Sequence, residues 1–126
     1  MSDCPFCIEN IPEDRIIVSN PYAYAVESWY AVVPGHSLII PKRHIDDYFF
    51  LSDEELIACD RLLCNMRDLL RVEDPDITGF NIGMNCGVSA GQTIMHAHIH
   101  LIPRRDGDVE NPRGGVRNII PGKGDY

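Results

Sequence analysis

Three imidazoles at alternate positions carry the densest chemistry in this chain. Residues 91–103 read Gly-Gln-Thr-Ile-Met-His-Ala-His-Ile-His-Leu-Ile-Pro, so His96, His98 and His100 alternate with small or apolar residues from Met95 to Ile102. A period of two is the signature of a strand. It predicts Met95, Ala97, Ile99 and Leu101 toward the core, the three rings on the opposite face, and an end at Pro103, which has no N–H for a ladder. A row of imidazoles makes a poor hydrophobic surface but a good set of nucleophiles, proton carriers and metal ligands. At ~3.4 Å rise per residue the Cα atoms of His96 and His100 stand about 13 Å apart. Two alternate rings can chelate one ion comfortably; three in succession would need a sharply twisted strand. Divided labour is therefore expected, with one or two rings on a metal and another left to react.

A second set of chemical groups is Cys4-Pro5-Phe6-Cys7, a C-x-x-C turn. A redox pair of this kind normally follows a strand and opens a helix, and no strand precedes it here. As half of a zinc site it lacks a second C-x-x-C, so the remaining ligands would come from histidine. Metal binding is the favoured reading. The chain has five cysteines, an odd and unevenly spaced set that suits thiols or metal ligation better than a disulfide framework.

The rest of the composition limits the possibilities. A chain of 126 residues with 44% hydrophobic and 24% charged residues suits one globular domain, here 1–126 with 104–126 as an extended tail. No apolar run approaches a membrane span, and Met1-Ser2-Asp3-Cys4 lacks the basic and apolar parts of a signal peptide, so a cytoplasmic address is expected. The net charge of −8 argues against non-specific nucleic-acid binding. Residues 103–126 nevertheless carry five Lys/Arg against four Asp/Glu, with Arg104, Arg105, Arg113 and Arg117 just beyond the histidines. That cluster would meet an anionic small molecule or form a solvated tail.

The elements that must position these groups can be read in outline. Residues 15–18 and 22–26 read as short strands around Ser19-Asn20-Pro21, Tyr30–Val33 as a third, and His36–Ile40 as another after the Pro34-Gly35 turn. Tight connections of this kind suggest an antiparallel meander. Taken alone, His36 reads as a turn histidine and His44 as a surface one. Ser52-Asp53-Glu54-Glu55 is a capping box, with its acids at the positive end of a helix. Leu56, Cys59, Leu63, Met66 and Leu70 then recur at helical spacing through Arg71, with Leu62 and Leu69 widening the stripe. Phe80–Asn85 is strand-like, and the Gly-rich stretch 86–91 returns toward the histidines, offering backbone N–H groups of the kind a phosphate requires.

The heptad His96-Ala97-His98-Ile99-His100-Leu101-Ile102 resembles the signature of the histidine triad (HIT) family of nucleotide hydrolases and transferases. Pro34–His44, the Asn81–Asn85 strand and Gly91-Gln92-Thr93 look like further family segments in the family order, and Cys4-Pro5-Phe6-Cys7 resembles the bacterial-type, zinc-containing members. The resemblance implies an α+β, HIT-like fold, with a five-stranded antiparallel sheet, one long and one short helix, and usually a homodimer. It implies a nucleotide hydrolase that cleaves at the α-phosphate of dinucleoside polyphosphates or nucleoside phosphoramidates through a nucleotidyl-histidine on His98. The alternatives are a nucleotidyl transferase and a non-catalytic nucleotide-binding or regulatory protein. By position, His100 contacts phosphate oxygens and His36 supports the nucleophile. Asn85, Gly91, Gln92 and Thr93 meet the phosphate or leaving group. Cys4, Cys7, His44 and His96 would hold a structural zinc. One departure is Ser28, with Glu27 beside it, where relatives commonly place an acid for the ribose hydroxyls.

Overall fold

The computed structural model describes residues 3–125. Strands β1 (Ile16–Ser19), β2 (Ala23–Glu27), β3 (Ser37–Pro41), β4 (Ile77–Gly83) and β5 (Ile99–Arg105) form one antiparallel sheet, and the long helix α1 (Asp53–Glu73) packs on it. The fold is α+β. The strand order is β1-β2-β3-β5-β4, so the expected meander extends only through β3. Helix α1 then carries the chain across the sheet to start β4 at the far edge, and β5 returns into the gap. In place of a second, short α-helix, the described residues outside α1 contain only 3-10 turns of three to five residues. Among the described residues, no helix is long and apolar enough to cross a membrane.

Alternation along the strands divides the sheet into two buried faces. Ala23, Ala25, Ile39, Ile77, Ile99 and Leu101 face α1 and pack on Ala58, Cys59, Leu62, Met66 and Leu70. Tyr24, Val26, Leu38 and Ile40 face the other way and are covered by Phe6 and Ile11. Residues 4–11 therefore form a strap over the helix-free face. The buried Tyr24 hydroxyl pins it by donating to the Phe6 carbonyl.

The helix begins as its sequence dictates. Ser52 and Glu55 complete a reciprocal capping box. Glu55 also accepts two hydrogen bonds from the Arg43 guanidinium, at 2.8 and 3.0 Å, which ties the 41–44 segment to the helix start. Leu69 is 41% exposed and does not widen the buried stripe. Each step of four from Leu62 through Met66 to Leu70 overshoots a helical turn by about 40°, so the buried line slides round the helix and leaves Leu69 behind.

Two other expectations fail for local reasons. Tyr30–Val33 is a turn between β2 and β3, closed by Ser28 N–H donating to the His36 carbonyl and His36 N–H to the Val33 carbonyl. Gly35 holds φ +90° there, and a Cβ on it would lie 3.0 Å from Pro103. Pro103 does not end its strand. β3 begins at Ser37 opposite Leu101, so β5 beyond that point is bordered only by β4, and a missing N–H is tolerated on the open side.

Candidate active site and metal centre

Cys4, Cys7, His44 and His96 come together from distant parts of the chain, with one ligand atom of each within 4.8 Å of the others. The Nδ1 of His96 lies 3.5 Å from Cys4 Sγ and 3.8 Å from Cys7 Sγ, and the Nδ1 of His44 lies 3.3 Å from Cys7 Sγ. A tetrahedral zinc with sulfur at ~2.3 Å and nitrogen at ~2.05 Å has a sulfur–nitrogen edge of about 3.5 Å. Two soft sulfurs and two imidazole nitrogens at that spacing fit such an ion. The tautomer fits as well. His96 Nε2–H donates to the Pro41 carbonyl at 2.7 Å, which turns the Nδ1 lone pair toward the sulfurs. Burial holds the His96 pKa below its usual value, so the ring is neutral, as ligation requires.

Of the three alternating histidines, only His100 lies within the β5 ladder. The β3–β5 pairing stops at Ile39↔Ile99, two residues short of where Pro41 would face Ala97. Pro41 has no N–H to give across a ladder. Ala97 N–H bonds instead to the Ile45 carbonyl, at 2.6 Å, and the Pro41 carbonyl is taken by the His96 ring. The chain bends at residues 94–96, and Met95, expected in the core, is 41% exposed. Ala97, Ile99 and Leu101 are buried as the alternation predicts.

His98 is 8% exposed, and its Nδ1 lies 2.8 Å from the His96 carbonyl. A carbonyl only accepts, so Nδ1 carries the proton and Nε2 keeps a lone pair. Burial pushes the His98 pKa down, which keeps that lone pair available at neutral pH. The ring whose Nδ1 faces the two sulfurs and the carbonyl that fixes the His98 tautomer thus belong to one residue, His96.

His36, expected to support His98, bonds to His100 instead. Val32 N–H donates to His36 Nδ1 at 3.1 Å, and His36 Nε2 lies 2.9 Å from His100 Nδ1. The backbone amide can only donate, so His36 Nδ1 accepts and its Nε2–H donates to His100 Nδ1. His100 must then carry its own proton on Nε2. The chain Val32 → His36 → His100 ends in one N–H of fixed direction. Burial, reinforced by His98 and His36, pushes the His100 pKa down to about 4, and burial lowers that of His36, so both rings are neutral.

Beside His98 lies an apolar cavity of about 320 Å³ lined by Pro5, Phe6, Ser28, Trp29, Tyr30, Leu38 and Ile94. Phe6 presents its ring edge-on to His98, with centroids 4.9 Å apart, and stacks on Trp29, whose ring also lies 4.6 Å from the Arg15 guanidinium carbon. The sequence reading missed Phe6 and Trp29. Phe6 sits between the two cysteines of the C-x-x-C turn, and the only tryptophan adjoins Ser28, so both had a signal. Ser28 lines the cavity; Glu27 is exposed and does not.

The other predicted contacts separate. Gln92 is 4% exposed and fully engaged in holding its loop. Its Nε2 donates to the Asp46 and Ile94 carbonyls, and its Oε1 accepts from Gly87 N–H. It is a positioning residue with no donor left for phosphate. Gly91 takes φ +96° at the end of the 88–90 turn, and Thr93 is exposed beside it. Asn85, half-buried, lines a second hollow together with His100. The four arginines each have partners within the chain. Arg104 is held by Asp108 and Asn81, Arg105 by Asp74 and the Pro34 carbonyl, Arg113 by Asp125, and Arg117 by the Lys123 carbonyl.

Comparison with known proteins gives a consistent assignment. The chain is 34% identical over 101 residues to the AP-4-A phosphorylase of Mycobacterium tuberculosis, covering 77% of this chain but only half of that protein's length. It is 34% identical over 102 residues to the bis(5'-adenosyl)-triphosphatase of Dictyostelium discoideum, covering 80% of this chain and 67% of that one. A crystal structure of a Zn-bound histidine triad family protein from Mycobacterium smegmatis superposes with a TM-score of 0.74 at 28% identity, covering 84% of this chain and 78% of the other. The HIT domain family itself matches residues 9–107, most of the chain and all five strands, and the chain belongs to that family.

Proposed function

We propose that this protein is a nucleotide hydrolase that cleaves at the α-phosphate of dinucleoside polyphosphates or nucleoside phosphoramidates. The observation that carries this is the bond from His98 Nδ1 to the His96 carbonyl, which leaves the Nε2 lone pair free on a ring that touches Phe6, itself in the wall of the cavity of about 320 Å³. In the forward step the N–P bond to His98 Nε2 forms as the bond from phosphorus to the leaving group breaks. Water then breaks the N–P bond and releases the nucleoside monophosphate. The fixed Nε2–H of His100 donates to a phosphoryl oxygen on which charge grows. Phe6, Trp29 and Leu38 would receive the base.

Cys4, Cys7, His44 and His96 would hold a structural zinc, whose chemistry here is to fix ring and backbone positions; the Mycobacterium smegmatis relative is Zn-bound. A homodimer belongs to the same reading. The unpaired edge of β4 and the exposed Ile57 and Ile82 support it, and sedimentation of the purified protein checks it. The AP-4-A phosphorylase relative favours one second reading, nucleotidyl transfer from His98 to phosphate in place of water.

The test is turnover of diadenosine tetraphosphate, diadenosine triphosphate and an adenosine phosphoramidate, with and without inorganic phosphate. Hydrolysis gives AMP, whereas phosphorolysis gives ADP that depends on added phosphate. His98→Ala should keep metal content and far-UV dichroism while losing turnover at least about a thousandfold. Substantial residual activity in that variant removes the nucleotidyl-histidine, and nucleotide binding with no trappable phosphohistidine in the unmodified protein leaves only a binding role.

A further inference from the structure

The C-x-x-C turn has two roles at once, since it gives two sulfurs to the metal cluster and part of the wall to the cavity beside His98. Pro5 and Phe6, the two residues between the cysteines, both line that cavity. Phe6 also meets His98 edge-on and stacks on Trp29, while its carbonyl accepts from the Tyr24 hydroxyl. The turn is drawn tight by Cys7 N–H donating to the Cys4 carbonyl at 3.3 Å and by Phe6 N–H donating to Cys4 Sγ at 3.4 Å. The two sulfurs lie within 4.8 Å of each other and of the two imidazole nitrogens.

Sulfurs this close can share a metal ion or a covalent bond, but not both. Around a tetrahedral zinc with sulfur at ~2.3 Å the sulfur–sulfur edge is about 3.8 Å. A disulfide holds its sulfurs about 2.05 Å apart. Closing the bond therefore draws them together by about 1.7 Å and removes both thiolate charges that hold the ion. The setting is that of a sensor rather than a dithiol catalyst, because the pair is followed by the three-residue 3-10 turn Ile8–Asn10. Cys4 is half-buried and Cys7 is 4% exposed, so an oxidant reaches Cys4 first and Cys7 stands behind it as the resolving thiol. Cys59 does not compete, being buried with its thiol pushed up to about 11.

We propose that Cys4 and Cys7 form a reversible disulfide on exposure to a peroxide, and that closing it expels the metal and unseats the groups around His98. Cys4 Sγ attacks a peroxide oxygen to give the sulfenic acid, and hydroxide leaves. Cys7 Sγ then attacks that sulfur, and a second hydroxide leaves. Two protons turn the hydroxides into water; the cysteines lose two electrons and the peroxide O–O bond gains them. Two routes carry the change to His98. Phe6 adjoins Cys7 and moves with it. His96, whose Nδ1 faces the sulfurs, is released while its carbonyl is the acceptor that fixes the His98 tautomer. The bond and the metal release rest on the cysteine–histidine cluster alone; the effect on turnover rests on the hydrolase reading.

The test treats zinc-loaded protein with hydrogen peroxide and follows metal release to a chromogenic chelator, thiol content, peptide masses, Trp29 emission and kcat/KM on an adenosine phosphoramidate. Zinc should be lost together with two thiols per chain, the peptide holding Cys4 and Cys7 should be lighter by two hydrogens, and Trp29 emission should change. The value of kcat/KM should fall about ten- to a hundredfold and return with a dithiol reductant and zinc. Cys64→Ser, at an exposed helix position, should respond as the unmodified protein does. Cys4→His keeps a nitrogen ligand but cannot close the bond, so it should hold its zinc under the same treatment; where it fails to fold, the peptide map of the unmodified protein decides. Zinc retained while the cysteines pair elsewhere overturns the switch, as does equal release from Cys4→His, or a mapped Cys4–Cys7 bond with emission and kcat/KM unchanged. Protein that takes up no zinc removes the metal centre along with the switch. Absence of turnover before treatment removes the hydrolase alone, and the bond, metal release and emission change then still support the oxidation site.

Discussion

Replacing His36 by alanine removes the group that fixes the His100 proton. In the intact protein Val32 N–H fills His36 Nδ1 at 3.1 Å, and His36 Nε2–H fills His100 Nδ1 at 2.9 Å. Without His36, His100 is free to carry its proton on Nδ1 and present a lone pair, instead of a donor, to the phosphate. A neutral hydrogen bond of this kind is worth about 1–1.5 kcal/mol, which is about tenfold in kcat. Complete loss of a transition-state donor, about 100- to 1000-fold, is the ceiling. Val32 is 68% exposed, so water can take its amide, but His36 is 3% exposed and alanine leaves a void. His36→Gln provides the control, because its side-chain amide restores a donor near the Nε2 position and refills the space. The assay is steady-state kcat on an adenosine phosphoramidate for both variants, together with long-range nitrogen–proton spectra of the imidazoles. The expected result is about a tenfold fall for alanine, partial recovery for glutamine, and Nε2–H on His100 in the unmodified protein. Full activity in His36→Ala, or a His100 ring protonated on Nδ1 in the unmodified protein, refutes the relay.

Three further outcomes follow from the same geometry. Removing metal with a chelator should release Phe6 from His98 and change the fluorescence of Trp29, the only tryptophan, while lowering Tm by about 10 °C or more; unchanged emission and Tm would dissociate the cluster from the strap. The acid limb of the rate profile should have its midpoint below pH 6.5, because burial lowers the pKa of His98 and takes that of His100 to about 4, so both stay neutral until the solution is distinctly acidic. A midpoint above 6.5 contradicts neutral, buried rings. Glu55, whose carboxyl the Arg43 guanidinium holds at a pKa of about 2, contributes stability that is present above about pH 4.5 and lost as pH falls toward 2. Glu55→Gln should cost about 1–3 kcal/mol in urea unfolding at pH 7, with the gap closing near pH 2; a gap that does not depend on pH excludes the ion pair as its source.

What the sequence made legible was chiefly local. The capping box at Ser52 and Glu55 and the burial of Ala97, Ile99 and Leu101 follow from short-range spacing, and both are in the structure. The four-residue cluster of Cys4, Cys7, His44 and His96 was legible only through the family resemblance, since nothing in the spacing links residue 7 to residue 44. Other features depended on a partner distant in sequence. Pro41 withholds an N–H from the neighbourhood of Ala97, and this is what frees His96 and His98 from the ladder and exposes Met95. The link from His36 to His100 spans 64 residues and depends on which way a backbone amide points at Val32. Gln92 lies in a polar run that looked like a phosphate contact, yet three backbone groups claim it first. The arginines after β5 were visible as charge, and their acidic partners, Asp74 and Asp108 among them, only as separate charges.

The strap of residues 4–11 is joined to the sheet by side-chain packing and the Tyr24–Phe6 hydrogen bond, while the triad rings are set by β3, β5 and the loop that enters β5. The part of the chain that matches the family is residues 9–107. The walls of the cavity beside His98 are therefore composite: Pro5 and Phe6 lie outside the matched span, whereas Ser28, Trp29, Tyr30, Leu38 and Ile94 lie inside it, so occupancy of the cavity depends on the strap staying docked.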